Sequence, residues 1–375
     1  MLVDVSVLHK SDARTGIQRV VRALLATFEA HLDPDISLHT VAATRYRTYR
    51  YVPNPLGSGV GRPGSNRIKV RSGDVFLGLD LSAHVLPRNE RQLSRWRRSG
   101  VRINIVIYDL LPVLHPEWFT PKVSAAFAAW LETIARQADN AVCISETVRS
   151  DLRSYLIGRR MPEAGTIRLG SKIEQSFPSR GFPEGFNDAL IALKSQKTVL
   201  VVGTIEPRKG HQDVVLAFEA LWLKDPQCRL ALVLVGRAGW NTAELQHRLR
   251  THPEAGQRLF WFDDASDEAL EALYDAVDRV IMPSFGEGFG LPLIEAASHG
   301  KPILARDIAP FREIGGAGVR FFQNGSPTAL ADIIAQWLAD PAPPVIDSRS
   351  LPDWHQSATD LLREIDLAPP PPKAN

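Results

Sequence analysis

The stretch M-P-S-F-G-E-G-F-G-L-P-L-I-E-A-A-S-H-G-K, from Met282 to Lys301, predicts how this chain folds. The apolar run over residues 278–281 is typical of a buried strand, and the segment from Leu291 to His299 is compatible with a helix. The Gly and Pro residues between them predict a turn. A strand, a glycine-rich loop and a helix in this order bring backbone N–H groups to a place where an anion can bind.

Two carboxylates flank this predicted anion site. Glu287 lies on the loop, and Glu295 lies one turn inside the predicted helix. Carboxylates accept hydrogen bonds from hydroxyl groups, whereas the loop favours phosphate. The stretch therefore indicates a ligand that carries both groups, as a nucleotide sugar does.

Length and composition indicate a globular protein of two domains. The chain has 375 residues, of which 44% are hydrophobic and 23% charged. Cys143 and Cys228 lie in apolar, strand-like runs, which predicts buried thiols in a reducing compartment. The start M-L-V-D-V-S lacks the basic region of a signal peptide, and no apolar run reaches the length of a membrane span.

The charge is distributed unevenly along the chain. The net charge is +2, but residues 1–170 hold 24 Lys/Arg against 15 Asp/Glu. A solvated, arginine-rich surface is one interpretation. The other is an approach for an anionic partner, such as a membrane face or a phosphorylated lipid acceptor. No nucleic-acid-binding motif accompanies these arginines, so no nucleic-acid partner is expected.

The first half of the chain begins with a predicted strand over residues 2–7 and a loop from Leu8 to Thr15 that contains Arg14. Gly16 then opens an amphipathic helix, and a glycine there lets a ligand approach the backbone. No G-x-G-x-x-G motif stands at this helix start, so the NAD-binding fingerprint is absent there. Residues 45–71 have no periodicity and are predicted to form a long loop.

A second candidate segment is Y-D-L-L-P-V-L-H-P-E-W-F, Tyr108 to Phe119, which follows a strand-like run. Open α/β sheets bind ligands at the carboxyl ends of their strands. Asp109 is therefore a candidate to accept a hydrogen bond from a sugar hydroxyl or to act as a base, and the alternative is a helix or turn cap. His115 precedes Pro116 in an extended stretch, where a structural role is favoured over a catalytic one.

Strand-like and helix-like segments alternate from Thr198 onwards, which predicts a parallel sheet with helices on both faces. The first of these strands ends in G-T-I-E-P-R-K-G, Gly203 to Gly210. Arg208 and Lys209 in this turn are suited to a diphosphate, Arg through paired N–H donors and Lys as a point charge. A solvated surface pair is the alternative. Residues 171–196 lack a pattern and are predicted to link the domains.

Taken together, these motifs resemble the retaining glycosyltransferases of the GT-B fold, in the large family 4. The stretch with Glu287 and Glu295 is similar to the family's E-x7-E motif, and G-T-I-E-P-R-K-G is similar to its donor-phosphate loop. T-G-I-Q-R-V, beginning at Thr15, resembles the glycine loop of the N-terminal domain. Y-D-L-L-P-V-L-H-P-E-W-F resembles the segment commonly written H-D-L-x-P-x-x-H-P-E.

The resemblance implies an α/β protein with two Rossmann-like domains that face each other across a cleft. The N-terminal, acceptor-binding domain would cover residues 1–170, and the C-terminal, nucleotide-sugar-binding domain residues 197–345. Residues 346–367 would form a C-terminal helix that crosses back to the first domain, in keeping with the amphipathic pattern from Trp354 to Ile365. The Pro-rich residues 368–375 are predicted to be disordered.

The resemblance also implies roles for the site residues. Arg208 and Lys209 would neutralise the leaving diphosphate, so that neither a metal nor another cofactor is expected. Glu287 would contact the donor sugar, and Glu295 would contact the ribose. The implied donor-binding residues are Gly16, Gly203, Arg208, Lys209, Gly236, Arg237, Ala265, Glu287, Gly288, Phe289, Gly290, Leu291 and Glu295. The expected catalytic residues are Glu287, Arg208, Lys209 and Asp109, and the acceptor side would involve Arg14, Tyr108, Asp109 and His115.

One residue departs from the family's pattern. Many relatives have histidine where this chain has Tyr108. A phenol, whose pKa is about 10, cannot take the acid–base part of an imidazole. No catalytic histidine is therefore inferred.

The expected function is hexosyl transfer from a nucleotide-diphosphate sugar, first of all GDP-mannose, to a saccharide or lipid-linked saccharide. The product would be a bacterial-type surface polysaccharide such as O-antigen, capsule or exopolysaccharide. The expected location is the cytoplasm, at the inner face of the cell membrane. A UDP-hexose donor is the alternative within this class. A GT-B phosphorylase or epimerase, or an inactive module that binds nucleotide sugars or carbohydrates, are the alternatives outside it.

Overall fold

The computed structural model describes residues 1–11, 15–57, 67–173 and 181–368. The chain divides into two units, one formed by Met1–Gly170 with the segment from Pro352 onwards, the other by Ser171–Leu351. Each unit is built on its own β-sheet. The predicted tail from residue 369 onwards, the linker residues 174–180 and Arg14 lie outside the described residues.

The first unit alternates strands and helices around a sheet of seven strands in the order β3-β2-β1-β4-β5-β6-β7. All neighbouring strands are parallel except β2 and β3. Its elements are β1 (Leu2–Asp4), α1 (Ser6–Lys10), α2 (Gly16–His31), β2 (His39–Ala42), β3 (Arg50–Tyr51), β4 (Val75–Gly78), α3 (Glu90–Arg98), β5 (Arg102–Ile107), α4 (Leu111–Leu114), α5 (Pro121–Gln137), β6 (Asn140–Cys143), α6 (Glu146–Tyr155) and β7 (Glu163–Thr166).

The second unit holds six parallel strands in the order β10-β9-β8-β11-β12-β13. Its elements are α7 (Phe186–Leu193), β8 (Lys197–Val202), α8 (His211–Lys224), β9 (Leu230–Val235), α9 (Ala243–Thr251), β10 (Leu259–Phe262), α10 (Asp267–Ala276), β11 (Arg279–Met282), α11 (Leu291–Ser298), β12 (Ile303–Arg306), α12 (Ala309–Gly315), β13 (Arg320–Phe322) and α13 (Pro327–Ala339). Helix α7 lies in the predicted linker. The predicted fold class, α/β with two parallel-sheet domains, is confirmed.

The burial of its strands explains why the sequence of the second unit has so regular an apolar pattern. Every residue of β9 is buried, as expected for a central strand covered on both faces. Helices α8 and α13 pack against each other. Their aromatic side chains Phe218, Trp222 and Trp337 belong to one core cluster with the strands. This core fixes the strand ends from which the loops of the candidate site begin.

The last helix of the described chain, α14 (Trp354–Glu364), packs against α2 in the first unit. Trp354 is buried against Gly170, where an added Cβ would lie 2.7 Å from the indole Cδ2. The Asn140 side chain donates a hydrogen bond to the Glu364 carbonyl at 3.2 Å. A glycine is needed at position 170 because the indole occupies the space of a side chain.

Three local predictions were wrong. The strand predicted over residues 2–7 ends at Asp4, and the short helix α1 (Ser6–Lys10) takes up the last predicted strand residues and the first residues of the predicted loop. Residues 50–51 of the predicted long loop pair with β2, and Tyr49 beside them is buried. Cys228 lies half-buried in a turn before β9 and not within a strand.

The end of β1 explains the first of these errors. The backbone N–H groups of Val7 and Leu8 both donate to the Asp80 carboxylate at 2.7 Å. Asp80 therefore satisfies the start of α1 from a position 73 residues along the chain. A partner so distant in sequence leaves no local signal, and the alternation of apolar residues alone predicts a longer strand than the structure has.

Two buried carboxyl groups meet at this edge of the first sheet. Asp4 accepts hydrogen bonds from the Tyr49 and Ser82 hydroxyls at 2.8 and 2.9 Å. Burial raises the pKa of Asp4, in spite of these bonds. Burial and the charge of Asp4 raise the pKa of Asp80 to about 7. The folded protein therefore retains a proton on Asp80 at a pH where the unfolded chain has lost it.

A folded-state pKa above the unfolded value means that stability falls as pH rises from about 4 to about 7. We predict that the Asp80→Asn variant loses this pH dependence, because an amide does not ionise. Between pH 5 and 8, the free energy of unfolding of the wild type should fall by roughly 2 kcal/mol more than that of the variant. Urea unfolding followed by hydrogen exchange in peptides of the first unit measures this difference. The matched control is Asp35→Asn at an exposed position, and equal pH slopes for wild type and Asp80→Asn would contradict the assignment.

Candidate functional site

The glycine-rich stretch joins the end of β11 to the start of α11. Gly290 caps the helix with φ of 109°, a conformation that favours glycine. A Cβ on Gly290 would lie 2.6 Å from the Phe311 ring. Pro292 occupies the first turn of α11, where its missing N–H costs nothing. The backbone therefore makes a tight turn at Gly290, between the loop and helix α11.

A second loop, Gly203 to Gly210, follows β8, which is the direct neighbour of β11 in the sheet. The Phe285 N–H donates to the Arg208 carbonyl at 2.7 Å, and the Arg208 guanidinium donates to the Gly286 carbonyl at 3.0 Å. The two loops are therefore held together by hydrogen bonds in both directions. This is the structural connection between the two motifs that the sequence placed about 80 residues apart.

Four charged side chains meet between these loops. The Lys209 ammonium contacts the Glu287 carboxylate, and Arg208 Nη1 lies 3.5 Å from Glu287 Oε2. Arg208 Nη2 lies 2.7 Å from Glu206 Oε1. The side chains are 3–17% exposed, so this cluster is largely desolvated. Two cations are balanced by two carboxylates.

The cluster keeps Glu287 ionised. Burial would raise the pKa of the Glu287 carboxyl, but the charges of Lys209 and Arg208 and a hydrogen bond from Ser284 outweigh it, so that the pKa lies below its usual value. Glu287 is therefore a carboxylate at neutral pH. It is suited to contact a sugar hydroxyl or a developing positive charge, and it does not carry a proton to donate.

Glu206 is a site residue that the sequence analysis did not single out. It stands in the quoted motif, but its spacing from Arg208 does not show that the side chain turns back onto the guanidinium. Its near-complete burial, at 3% exposure, is visible only in the structure. The one signal available in the sequence was an acid two residues before the arginine that was predicted to bind phosphate.

Glu295 lies on α11 and is buried. Its carboxylate accepts a hydrogen bond from the Tyr274 hydroxyl at 3.1 Å, and Tyr274 also lies 3.3 Å from the Pro292 carbonyl. Tyr274 belongs to a different helix, α10, so this pairing could not be predicted from the sequence. The tyrosine fixes the orientation of the carboxylate that was predicted to contact the ribose.

The other candidate donor residues of the second unit lie at the same edge of its sheet. Gly203 and Gly236 follow β8 and β9, and the two backbones approach so closely that a Cβ on Gly236 would lie 1.9 Å from the Gly203 carbonyl oxygen. Arg237 is half-exposed, with its guanidinium 3.6 Å from the Asp264 carboxylate. Ala265 follows β10 next to the helix cap Ser266. The structure brings these residues to one edge together with Arg208, Lys209, Glu287, Gly288, Phe289, Gly290, Leu291 and Glu295.

The candidate site residues of the first unit lie in different segments of that unit. Gly16 begins α2, behind a capping box made by Thr15 and Gln18. The buried Tyr108 hydroxyl donates to the Leu79 carbonyl at 2.7 Å, and burial raises the pKa of the phenol well above 10. The Tyr108 hydroxyl therefore makes its hydrogen bond inside the first unit.

Asp109 and His115 also have partners within the first unit. The Asp109 carboxylate accepts a hydrogen bond from the Leu111 N–H at 3.0 Å, as in the cap that was the alternative interpretation. His115 stacks on Trp118 with ring centroids 4.1 Å apart, and its Nδ1 lies 3.2 Å from the Glu117 carboxylate. Both side chains remain partly exposed.

Within the described ranges, no group of three or more His, Cys, Asp or Glu side chains is placed to hold a metal ion. A search of the same residues finds no helix with the length and apolar character that a membrane crossing requires.

Comparison with known proteins identifies the second unit. Residues 187–350 match the family model described as Glycosyl transferases group 1. The second unit carries a group 1 glycosyltransferase domain. The resemblance inferred from the E-x7-E stretch and the Arg-Lys loop is thereby confirmed.

Curated relatives extend the similarity beyond this glycosyltransferase domain. The whole chain aligns at 35% identity with the serotype-specific mannosyltransferase WbdA of Escherichia coli, of which it covers 46%. The O-antigen chain mannosyltransferase B of Escherichia coli is 32% identical over 181 residues, which cover 46% of this chain and 46% of that protein. The chain therefore spans about half the length of the curated relatives it matches.

Solved structures support the fold alone. Anabaena Alr3699/HepE in complex with UDP has a TM-score of 0.59 at 15% identity, over 98% of this chain and 95% of that chain. Sucrose-phosphate synthase from Thermosynechococcus elongatus has a TM-score of 0.56 at 19% identity, over 78% and 72%. Both are similar to this chain in fold, at low sequence identity.

Proposed function

We propose that this chain is a retaining glycosyltransferase that moves a hexose from a nucleotide-diphosphate sugar to a saccharide or lipid-linked saccharide acceptor in surface polysaccharide synthesis. The main support for this proposal is a largely buried cluster of charged side chains at the carboxyl ends of the strands of the second sheet. The cluster consists of Arg208, Lys209, Glu206 and Glu287. Fixed cations in a water-poor site are what a departing diphosphate needs.

The reaction breaks the bond between the anomeric carbon and the diphosphate oxygen, and forms a bond from that carbon to the acceptor oxygen on the same face. Lys209 and Arg208 stabilise the negative charge that grows on the diphosphate. The acceptor's proton goes to a diphosphate oxygen, so no protein base is required. Glu287, which the neighbouring cations keep as a carboxylate, is assigned to stabilise positive charge on the sugar.

Glu206 positions the Arg208 guanidinium. Arg208 contacts the Gly286 carbonyl through Nη1 and the Glu206 carboxylate through Nη2, and the two contacts together fix the plane of the guanidinium. A guanidinium with a fixed plane presents its remaining N–H groups to phosphate without losing rotational freedom on binding. Glu295, oriented by Tyr274, is assigned to the ribose hydroxyls.

The mannosyl assignment rests on the relatives. The full-length alignment at 35% identity is to a mannosyltransferase, and the shorter one to O-antigen chain mannosyltransferase B is consistent with it. GDP-mannose is therefore the first donor to test. The structure of Anabaena Alr3699/HepE in complex with UDP shares only the fold with this chain, so a UDP-hexose is the second donor to test. An inactive carbohydrate-binding module is the non-enzymatic alternative, and the buried Tyr108 is what favours it.

Acceptor contacts are assigned to the first unit, through Asp109 and His115, with Arg14 as a further candidate. The same unit is proposed to touch an anionic membrane surface. The side chains of Arg88, Arg91, Arg95, Arg97 and Arg98 are all exposed on or beside α3. Such a basic helix suits lipid phosphates.

We predict that Arg208→Ala and Lys209→Ala each lower transferase activity roughly tenfold to a hundredfold, since each removes a charge-assisted hydrogen bond worth about 1.5–3 kcal/mol. Release of GDP from GDP-mannose, with and without a mannose oligosaccharide, measures this loss. Lys224→Ala, at an exposed lysine of the same unit, is the control. Wild-type turnover in both folded variants would refute the diphosphate assignment.

A thermal-shift panel of GDP-, UDP-, ADP- and TDP-sugars tests the donor. We expect GDP-mannose to give the largest shift in melting temperature, because it is the first donor candidate. A ligand at a hundred times its dissociation constant stabilises the folded protein by about 2.7 kcal/mol. A chelator should leave the shift unchanged if Arg208 and Lys209 replace a metal. A shift that requires a divalent cation would contradict this, and a larger shift with UDP-hexoses would replace GDP-mannose as the donor.

Vesicle sedimentation tests the membrane contact. Vesicles with anionic lipid should bind the protein at low salt and release it at high salt, because each basic residue near the surface contributes about 1 kcal/mol. The double variant Arg91→Glu/Arg95→Glu should bind more weakly, and Lys224→Glu on the second unit should bind as the wild type does. Equal binding to neutral vesicles would argue against an electrostatic contact.

A further inference from the structure

Three basic side chains lie at the carboxyl edge of the first sheet, apart from the candidate residues described above. Lys10 ends α1, which follows β1. Arg45 lies in the loop after β2, and His84 lies in the turn after β4. Because β2, β1 and β4 are adjacent and parallel, the three segments leave the sheet next to one another.

A buried asparagine joins the loop of Arg45 to the turn of His84. Asn89 is 3% exposed, and its side-chain amide donates to the Thr44 carbonyl at 3.3 Å and to the Val85 carbonyl at 3.0 Å. One nitrogen atom therefore bonds to the residue before Arg45 and to the residue after His84. The Thr44 hydroxyl also accepts from the N–H groups one and two residues after Arg45, at 3.2 and 3.0 Å. These bonds fix the loop and place it beside the turn.

The segment that ends in Lys10 is held to the same region. Asp80, in the segment after β4, accepts hydrogen bonds from two N–H groups of α1 at 2.7 Å. The Ser6 hydroxyl of α1 accepts from the Ala43 N–H, in the segment after β2, at 2.9 Å. A buried polar network thus fixes the three segments relative to one another, while the basic side chains that they carry are exposed.

The positive charge at this edge is not neutralised. Partial burial and the charges of Lys10 and Arg45 lower the pKa of the His84 imidazole. Within the part of the chain that the structure describes, no hydrogen bond or ion pair engages these three side chains. The carboxyl groups of Asp4 and Asp80 at the same edge are buried and accept hydrogen bonds inside the unit. Like charges that a fold holds together without a counter-charge are typical of functional sites.

The chemistry of the three groups favours phosphate as the missing anion. A guanidinium pairs with phosphate through two N–H groups, an ammonium adds a point charge, and a protonated imidazole adds a further donor. A phosphate group offers three strong acceptor oxygens and up to two charges. A carboxylate offers two oxygens and one charge, which is too little for three separate donors. Tyr46, next to Arg45, is 87% exposed and presents an aromatic ring to whatever carries the phosphate.

We propose that Lys10, Arg45 and His84 bind a phosphate group of the acceptor substrate. The anion site itself rests on these three residues, whereas the assignment of the phosphate to an acceptor rests on the proposed function. The phosphate belongs either to a phosphorylated saccharide or to a lipid-linked diphosphate. Both present the same oxygen atoms to the three basic groups.

NMR of the His84 imidazole tests the proposal on the whole chain, with GDP present to occupy the donor site. His84→Asn assigns the signal among the 10 histidines. Inorganic pyrophosphate should raise the pKa of His84 by about 1, because a nearby anion favours the charged imidazole. Lys10→Gln and Arg45→Gln should each weaken pyrophosphate binding roughly fivefold at low salt. Both positions are exposed, so that these variants keep the fold.

Arg71→Gln is the matched control. Arg71 is exposed and precedes β4, so it lies at the opposite edge of the same sheet. This substitution removes the same charge from the same unit, and pyrophosphate should bind as it does to the wild type. A weakening equal to that of Arg45→Gln would reveal an effect of net charge alone and overturn the proposal. A His84 signal that does not respond to pyrophosphate, or affinities unchanged in both Lys10→Gln and Arg45→Gln, would also overturn it.

Two further probes distinguish the source of the phosphate. Tighter binding of mannose 6-phosphate than of inorganic phosphate indicates a phosphorylated saccharide. Tighter binding of geranyl diphosphate than of pyrophosphate indicates a lipid diphosphate. If GDP shifts the melting temperature and His84 does not respond to any of these anions, this inference fails alone. If His84 responds and no nucleotide binds, the proposed donor chemistry fails alone.

Discussion

The second unit depends on the pairing of two cations with two carboxylates between the loops after β8 and β11. Arg208 and Lys209 are 17% and 13% exposed, and their partners Glu206 and Glu287 are 3% and 10% exposed. Removing one member of a buried pair leaves an uncompensated charge, at a cost of about 3–5 kcal/mol. The charge balance therefore constrains all four side chains at once. It also constrains the two loops, because the Arg208 guanidinium and carbonyl both bond to the backbone of the other loop.

Sheet order determines that these loops meet. In the second sheet β8 stands between β9 and β11, so the chain reverses its direction of strand addition at β8. Such a switch point leaves a crevice at the carboxyl ends of the strands, where α/β proteins bind ligands. Gly203, Gly236 and the loop that contains Glu287 all leave the sheet there. The parallel topology, more than any single contact, assembles the candidate donor residues.

The sequence predicted what repeats or is local, and missed what depends on distant partners. The alternation after Thr198 was enough for a parallel α/β domain, and the two motifs were enough for the candidate residues of the second unit. The Tyr274 hydroxyl on Glu295, the return of Glu206 onto Arg208 and the Asp80 cap of α1 were not predictable. Tyr274 and Glu295 belong to different helices, and Asp80 lies 73 residues from the Val7 N–H that it caps. Glu206 meets Arg208 only through the local conformation of the loop that they share, which their spacing does not show.

The charge balance has a consequence for the proposed reaction. A diphosphate that enters the site competes with Glu287 for Lys209, so part of the attraction is cancelled in the ground state. As the bond to the sugar breaks, negative charge grows on the diphosphate and positive charge on the sugar. Both changes favour the separated arrangement, with Lys209 on the phosphate and Glu287 beside the sugar. Interactions that strengthen only as the bond breaks raise the rate, whereas uniform binding does not. The pairing of Glu287 with Lys209 is thus suited to withhold binding energy until the transition state.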